Sequence, residues 1–278
     1  MKVILIAGSG QSGSTLLTLL LGAHPDILNG GELFTLFHYM KKQPDKPCLD
    51  GYKLNDHPLW SLVISEISKR ESLKNRIKSK KKEIFNAAFR ELIEIISMFS
   101  DKKAIVITSK QFWRIKNILE DDTSDLEICT IHLIRDPRAK VNSKLKRSKG
   151  MKKWYYTFNK SLSWSLTNLK CSSLSKKREI YFLKYEDLTY NVENMLQELM
   201  RHCDITFSSI QITYYNTEQP LFSGNGQLIN RRDPVVFRRD FLKMKIGLWC
   251  IITILTFPIN IVFGYPVLKR GYKKYASN

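Results

Sequence analysis

The sequence predicts an α/β domain with a central parallel sheet covered by helices on both faces. The first observation is a set of short apolar, β-branched runs: residues 2–8, "AIVIT" (104–108), "ICTIHLI" (128–134) and "IYFLKY" (180–185). They are continuously apolar rather than alternating, as strands buried on both faces are. The second is that helix-like stretches separate them, at 83–99, 111–120, 154–170 and 187–202, which is the pattern of a parallel sheet. No internal repeat and no low-complexity linker interrupts residues 1–240, so this stretch reads as one domain.

Taken in order, residues 2–8 form a strand ending at glycines, and Ser14 to Gly22 forms a helix that starts on a hydroxyl cap. "NGGELF" then reads as a loop beyond that helix. The charge-rich stretch 69–83, "KRESLKNRIKSKKKE", reads as a solvated helix face. Residues 36–100 are expected to cover the acceptor side of the site. Phe37, Tyr39, His57 and Trp60 are there either to line a pocket or to fill the core.

Between the first strand and helix lies "GSGQSGST", residues 8–15. A strand, a glycine-rich loop and a helix start make a cradle in which backbone N–H groups meet a phosphate. A nucleotide-hydrolysing loop reads GxxxxGK[ST]. Here Gly8 and Gly13 fit, but Ser14 stands where the lysine belongs and Thr15 follows. The loop predicts a P-loop-like three-layer fold without the charge that β,γ-phosphate and magnesium chemistry needs.

The loop, with "AHPD" and "GGEL" after it, resembles the 5′-phosphosulfate loop of sulfotransferases that use 3′-phosphoadenosine 5′-phosphosulfate (PAPS). "IHLIRDPRAKVNSKLKR" resembles that family's 3′-phosphate motif, with Arg135 at a strand end and Ser143 eight positions on. "VITSKQFWRIKNIL" resembles the segment whose lysine, here Lys110, lies near the transferred group. "KYEDL" (184–188) and "SGNGQLINRR" (223–232) match looser family features, and the likeness extends over residues 1–235. The resemblance implies sulfuryl transfer from PAPS to a hydroxyl of a carbohydrate or lipid, with no metal. Ser12, Gly13, Ser14, Thr15, Arg135, Ser143 and Arg231 would bind the donor. Glu32 would be the base, with His24 its rival, and Lys110 and Gln11 would face the leaving group. Gln11 departs from the pattern: many relatives carry Arg or Lys there, and Gln donates a hydrogen bond but no charge.

Arg135 also makes sense on physical grounds alone. Open α/β sheets place ligands at the carboxyl ends of their strands, and an arginine fork grips phosphate at two points. An alternative from another class is a P-loop-like nucleotide kinase or nucleotide-binding module, which the missing lysine disfavours. A nucleic-acid-binding role would rest only on the net charge of +19, without a recognised motif.

That charge implies an anionic partner. The five cysteines, with no CxxC pair, argue against a zinc site or a disulfide framework and fit a reducing, cytoplasmic setting. Residues 246–263 carry no charge and are flanked by Lys and Arg, but Pro258 and Asn260 interrupt them. The 241–278 segment is therefore expected either to pack on the domain or to lie on an anionic membrane surface as a broken, interfacial element.

Overall fold

The computed structural model describes residues 1–145, 152–175, 178–224, 233–236 and 239–275. Its sheet consists of β1 (Lys2–Ala7), β2 (Ile27–Gly31), β3 (Ala104–Ser109), β4 (Ile128–Ile134) and β5 (Tyr181–Lys184), ordered β2-β3-β1-β4-β5. Every pairing is parallel, with Ile4 beside Val106 on one side and Cys129 on the other. The chain therefore goes from β1 to one side of the sheet and crosses back past β1 to reach β4. The crevice at the carboxyl ends of β1 and β4 is the topological switch point.

Alternation along β1 builds two cores. Val3, Leu5 and Ala7 face the helices α3 (Trp60–Lys69), α5 (Lys82–Phe99) and α6 (Phe112–Leu119). Ile4 and Ile6 face α1 (Ser14–Gly22) and α10 (Val192–His202). Burying an apolar side chain on each face contributes about 1.5–3 kcal/mol, so a doubly covered strand is well fixed. The remaining helices are α2 (Leu36–Lys42), α4 (Glu71–Arg76), α7 (Pro137–Leu145), α8 (Lys152–Leu174), α9 (Tyr185–Tyr190), α11 (Ile246–Thr256) and α12 (Ile259–Val262).

Several expectations need correction. Residues 27–31 are an edge strand, not a loop, although "NGG" is poor strand sequence. Packing decides there: a Cβ on Gly30 would lie 2.9 Å from Ile105, so glycine lets β2 close on β3. Buried Asn29 donates to the Gln219 side chain at 2.6 Å and to the Thr18 carbonyl at 3.0 Å. The α1 N-cap is Gly13 with φ 100°, and no side-chain hydroxyl caps the helix. Residues 69–83 are not one solvated face, because Leu73 and Ile77 are buried in the core. The 187–202 helix is two, broken at Asn191.

The cysteine reading fails at one pair. Cys129 on β4 and Cys203 after α10 form a disulfide across 74 residues of sequence. Spacing in the chain carries no information about a pair that the sheet and a distant helix bring together. Cys48 and Cys171 are buried free thiols, and burial pushes both up to about 12.

Among the described residues, no helix is long and apolar enough to cross a membrane. The 246–263 run ends its first helix at Thr256 and resumes at Ile259 after Pro258. Trp249, Ile252, Thr253 and Thr256 pack inward, while Ile246, Ile254 and Phe257 remain exposed.

Candidate active site

The loop after β1 runs along the end of β4. A Cβ on Gly8 would meet the Leu133 carbonyl oxygen at 2.4 Å, so only glycine permits this approach. At the other end of the loop, a Cβ on Gly13 would strike the Tyr185 ring at 2.2 Å. The Ser12 N–H donates to the Ser9 carbonyl at 3.2 Å, closing the turn, and the Ser12 side chain is buried. Gln11 sits at the crest with φ 70°, half-buried, in the left-handed region. Ser14 and Thr15 open α1, also half-buried.

Arg135 follows β4 directly. Its guanidinium lies over the Tyr185 ring at 4.3 Å, and its Nε is buried with no hydrogen-bond partner. A buried guanidinium donor without an acceptor is costly, so this geometry is ready for an anion. The Trp164 indole N–H donates to the Arg135 carbonyl at 2.8 Å and fixes the backbone beneath it. Ser143 lies half-buried on α7, the helix that starts two residues after Arg135.

Asp136 and Arg138 of the same motif do structural work. Asp136 accepts the Arg138 backbone N–H at 2.7 Å as α7 begins, and its own N–H donates to Glu186 at 3.0 Å. The Arg138 guanidinium is fully buried and donates to the Pro266 carbonyl at 2.7 Å and the Tyr272 hydroxyl at 3.1 Å. It thereby ties the motif to the C-terminal segment. Glu186 is also buried, accepting from the Tyr265 hydroxyl at 3.0 Å. Burial, with the Asp136 carboxylate nearby, pushes its carboxyl up to about 7.

Lys110 and Glu32 come from the ends of β3 and β2, 78 residues apart in sequence, and form an ion pair. Parallel neighbours place both at the carboxyl edge of the sheet. The Lys110 stem passes over the loop, where a Cβ on Gly10 would lie 3.9 Å from its Cδ. The Glu32 N–H donates to the buried Ser223 hydroxyl at 2.9 Å, which fixes the turn that carries the carboxylate. His24 stands elsewhere: its Nε2 faces the Thr206 carbonyl at 2.9 Å and its Nδ1 accepts the Asp26 N–H at 3.0 Å. Both ring nitrogens are thus engaged in holding the chain. His57 likewise pairs with Asp50 at 2.8 Å, and Trp60 is fully buried and bonded to the Pro220 carbonyl, so both serve the core. Arg231 lies outside the described residues.

Sequence reasoning assigned no role to Tyr185, which touches both the loop and Arg135. Its only signal was its place in "KYEDL", directly after a strand. Trp164 and Ser223 were likewise unassigned, since each acts through a backbone group far away in sequence.

A glycine loop at a helix start and an arginine with an orphaned donor thus meet at the carboxyl end of the sheet. Among the described residues, no His, Cys, Asp and Glu cluster could hold a metal. Residues 4–209 match the model of a sulfotransferase family. Among solved structures, the fold is similar to the sulfotransferase domain of the Synechococcus PCC 7002 olefin synthase, at 14% identity and TM-score 0.57, covering 95% of this chain and 94% of that one. A sulfotransferase domain from the curacin biosynthetic pathway aligns at 17% identity and TM-score 0.53, over 100% and 98% of the two chains. The mouse sulfotransferase SULT7A1, solved with PAP, aligns at 13% identity and TM-score 0.54, over 99% and 88%. No curated protein matches the sequence significantly.

Proposed function

Because the chain belongs to this sulfotransferase family, and is thus an enzyme of sulfuryl transfer, we propose that its donor is PAPS and its acceptor a hydroxyl of a carbohydrate or lipid. The observation that carries the donor assignment is the orphaned Arg135 Nε beside the loop, at the carboxyl ends of the neighbouring strands β1 and β4. Arg135 and Ser143 hold the 3′-phosphate, and Ser12, Gly13, Ser14 and Thr15 hold the 5′ side. The family match ends before Arg231, whose role in donor binding rests on the resemblance of "SGNGQLINRR" alone.

Bound there, the donor supplies a sulfuryl group on a phosphate leaving group. Glu32 takes the acceptor hydroxyl proton as the new O–S bond forms. Lys110 turns from Glu32 toward the bridging oxygen, where charge gathers as the old S–O bond breaks. With Gln11 uncharged, Lys110 carries most of that neutralisation. A thermal-shift comparison of adenosine 3′,5′-bisphosphate, ATP and an oligonucleotide tests the assignment. Stabilisation by the bisphosphate alone is expected. Equal stabilisation by ATP would favour a nucleotide kinase instead.

A second reading concerns location. We infer that the enzyme rests on an anionic membrane surface. Residues 137–178 and 241–278 contain nineteen Lys and Arg and no Asp or Glu, which equals the net charge of the whole chain, +19. These segments include α8 and α11, which pack side by side. Helix α8 buries Trp164, Cys171 and Leu174 together with Thr157, Ser161, Ser165 and Asn168, yet leaves Trp154, Phe158, Leu162, Leu166 and Leu169 exposed. Exposed apolar side chains among cations suit a lipid interface. Cysteine spacing no longer supports a reducing, cytoplasmic setting, given the Cys129–Cys203 pair. Phe158→Ser with Phe257→Ser should abolish flotation with anionic vesicles at low salt. Unchanged flotation would remove this face from the interaction.

A further inference from the structure

Beside the Lys110–Glu32 pair lies a second cationic feature that donor binding does not use. A cavity of about 220 Å³ is lined by Arg114, His38, Lys41, Lys42 and Lys78, with Phe34 and Ile77 supplying its apolar walls. No carboxylate lines it. Phe34 is two residues beyond Glu32, and Arg114 is four beyond Lys110. The cavity thus belongs to the same two segments that carry the proposed base and the leaving-group cation. His38, Lys41 and Lys42 come from α2 and Lys78 from the turn after α4.

Arg114 is the unusual member. Its guanidinium lies 4.4 Å from the Phe34 ring centre and 5.1 Å from that of Trp113. Its Nε is buried without a hydrogen-bond partner, and among the described residues no carboxylate pairs with it. Burial alone holds its pKa below the ordinary arginine value. An arginine stacked between rings, with its fork unmatched and four further basic residues around it, is poorly placed for stability alone. Arg114 is half-buried, and the cost of burying its Nε donor is offset when an anion arrives.

We propose that this cavity recognises an anionic group on the acceptor, a phosphate, sulfate or carboxylate next to an apolar or sugar-ring segment. Arg114 grips the anion as its principal ligand. Phe34 and Ile77 receive the neighbouring carbon atoms, and the hydroxyl to be sulfated extends toward Glu32. The acceptor is then already negatively charged before it gains a sulfate, and the cations of the cavity select it over a neutral alcohol. This inference rests on the sulfotransferase reading for its placement, but binding to the cavity can be measured without turnover.

The test is calorimetric titration of the full chain, saturated with adenosine 3′,5′-bisphosphate, with benzyl phosphate, benzyl sulfate, phenylacetate and benzyl alcohol. The three anions separate the possible acceptor groups, and at least one should bind ten times more tightly than the alcohol. Arg114→Met keeps the stem that packs between the rings. It should weaken that anion about tenfold or more, as expected for one charge-assisted contact, with bisphosphate affinity unchanged. Lys78→Gln, at an exposed position, should weaken it about threefold. Equal binding of the alcohol, or anion binding indifferent to Arg114→Met, overturns the proposal. Anion binding that depends on Arg114 in a protein that ignores the bisphosphate would keep the cavity and overturn the donor assignment instead.

Discussion

Arg138 and Asp136, two residues apart in the chain, form a bidentate ion pair in which neither side chain is exposed: Nε meets Oδ1 at 2.8 Å and Nη2 meets Oδ2 at 2.7 Å. The Arg138 guanidinium also lies 4.4 Å from the Trp249 ring. The pair joins the start of α7, next to Arg135, to the C-terminal segment. Arg138→Met should therefore destabilise the fold by about 3–5 kcal/mol, because it leaves the Asp136 charge buried and unmatched. Urea unfolding measures this, and a loss under 1 kcal/mol would show that the pair is replaceable.

Glu32→Gln should lower turnover by about 10²–10⁴ while bisphosphate affinity stays nearly intact, since a base acts only in the transition state. Single-turnover kinetics beside equilibrium binding separate the two. Near-normal turnover would remove Glu32 from the chemistry.

Arg135→Ala should weaken PAPS and the bisphosphate about 10- to 150-fold, the range of one charge-assisted bond. Adenosine 5′-phosphosulfate, which lacks the 3′-phosphate, should be spared. Ser143→Ala should act in the same direction with a smaller effect. Equal losses for both ligands would mean that Arg135 holds the fold rather than the phosphate.

Lys110→Ala should slow the chemical step severely, and Gln11→Arg should be tolerated or mildly activating, because charge on the departing phosphate is what both residues address. Gln11 already occupies left-handed backbone, so the second substitution adds no glycine-to-side-chain strain. Presteady-state rates decide the matter. A Lys110→Ala enzyme as fast as wild type would assign the leaving group elsewhere.

Stability should fall as the pH rises through neutrality. The buried Glu186 carboxyl is pushed up to about 7 from 4.5, chiefly by burial and then by Asp136. Its protonated form is the one the fold favours, so its contribution is complete below about pH 4.5 and is lost as pH passes 7. Glu186→Gln stays neutral and keeps an acceptor for the Asp136 N–H. Its melting temperature should vary less than that of wild type between pH 5 and 8. Parallel profiles for the two proteins would contradict this account.

The sequence by itself determined the parts that depend on neighbours along the chain. Continuous apolar runs specified β1, β3, β4 and β5, because strands buried on both faces need no alternation. The loop from Gly8 to Thr15 and the strand end at Arg135 were legible because each is one contiguous stretch whose backbone does the positioning. Tertiary structure alone decided what depends on residues brought together from afar. Strand β2 exists because Gly30 lets Asn29 and Gly31 close on β3, against the local propensity of "NGG". Cys129 meets Cys203 because β4 and α10 share a core, and Glu32 meets Lys110 because β2 and β3 end at the same edge. Arg114 carried no sequence signal, since an unmatched guanidinium is recognised only when every neighbour is known. Arg138, read as part of a phosphate motif, proved to be the tie to Pro266 and Tyr272. Local patterns encode the backbone's own geometry, whereas charge partners across the fold are set by packing, which no short stretch of sequence contains.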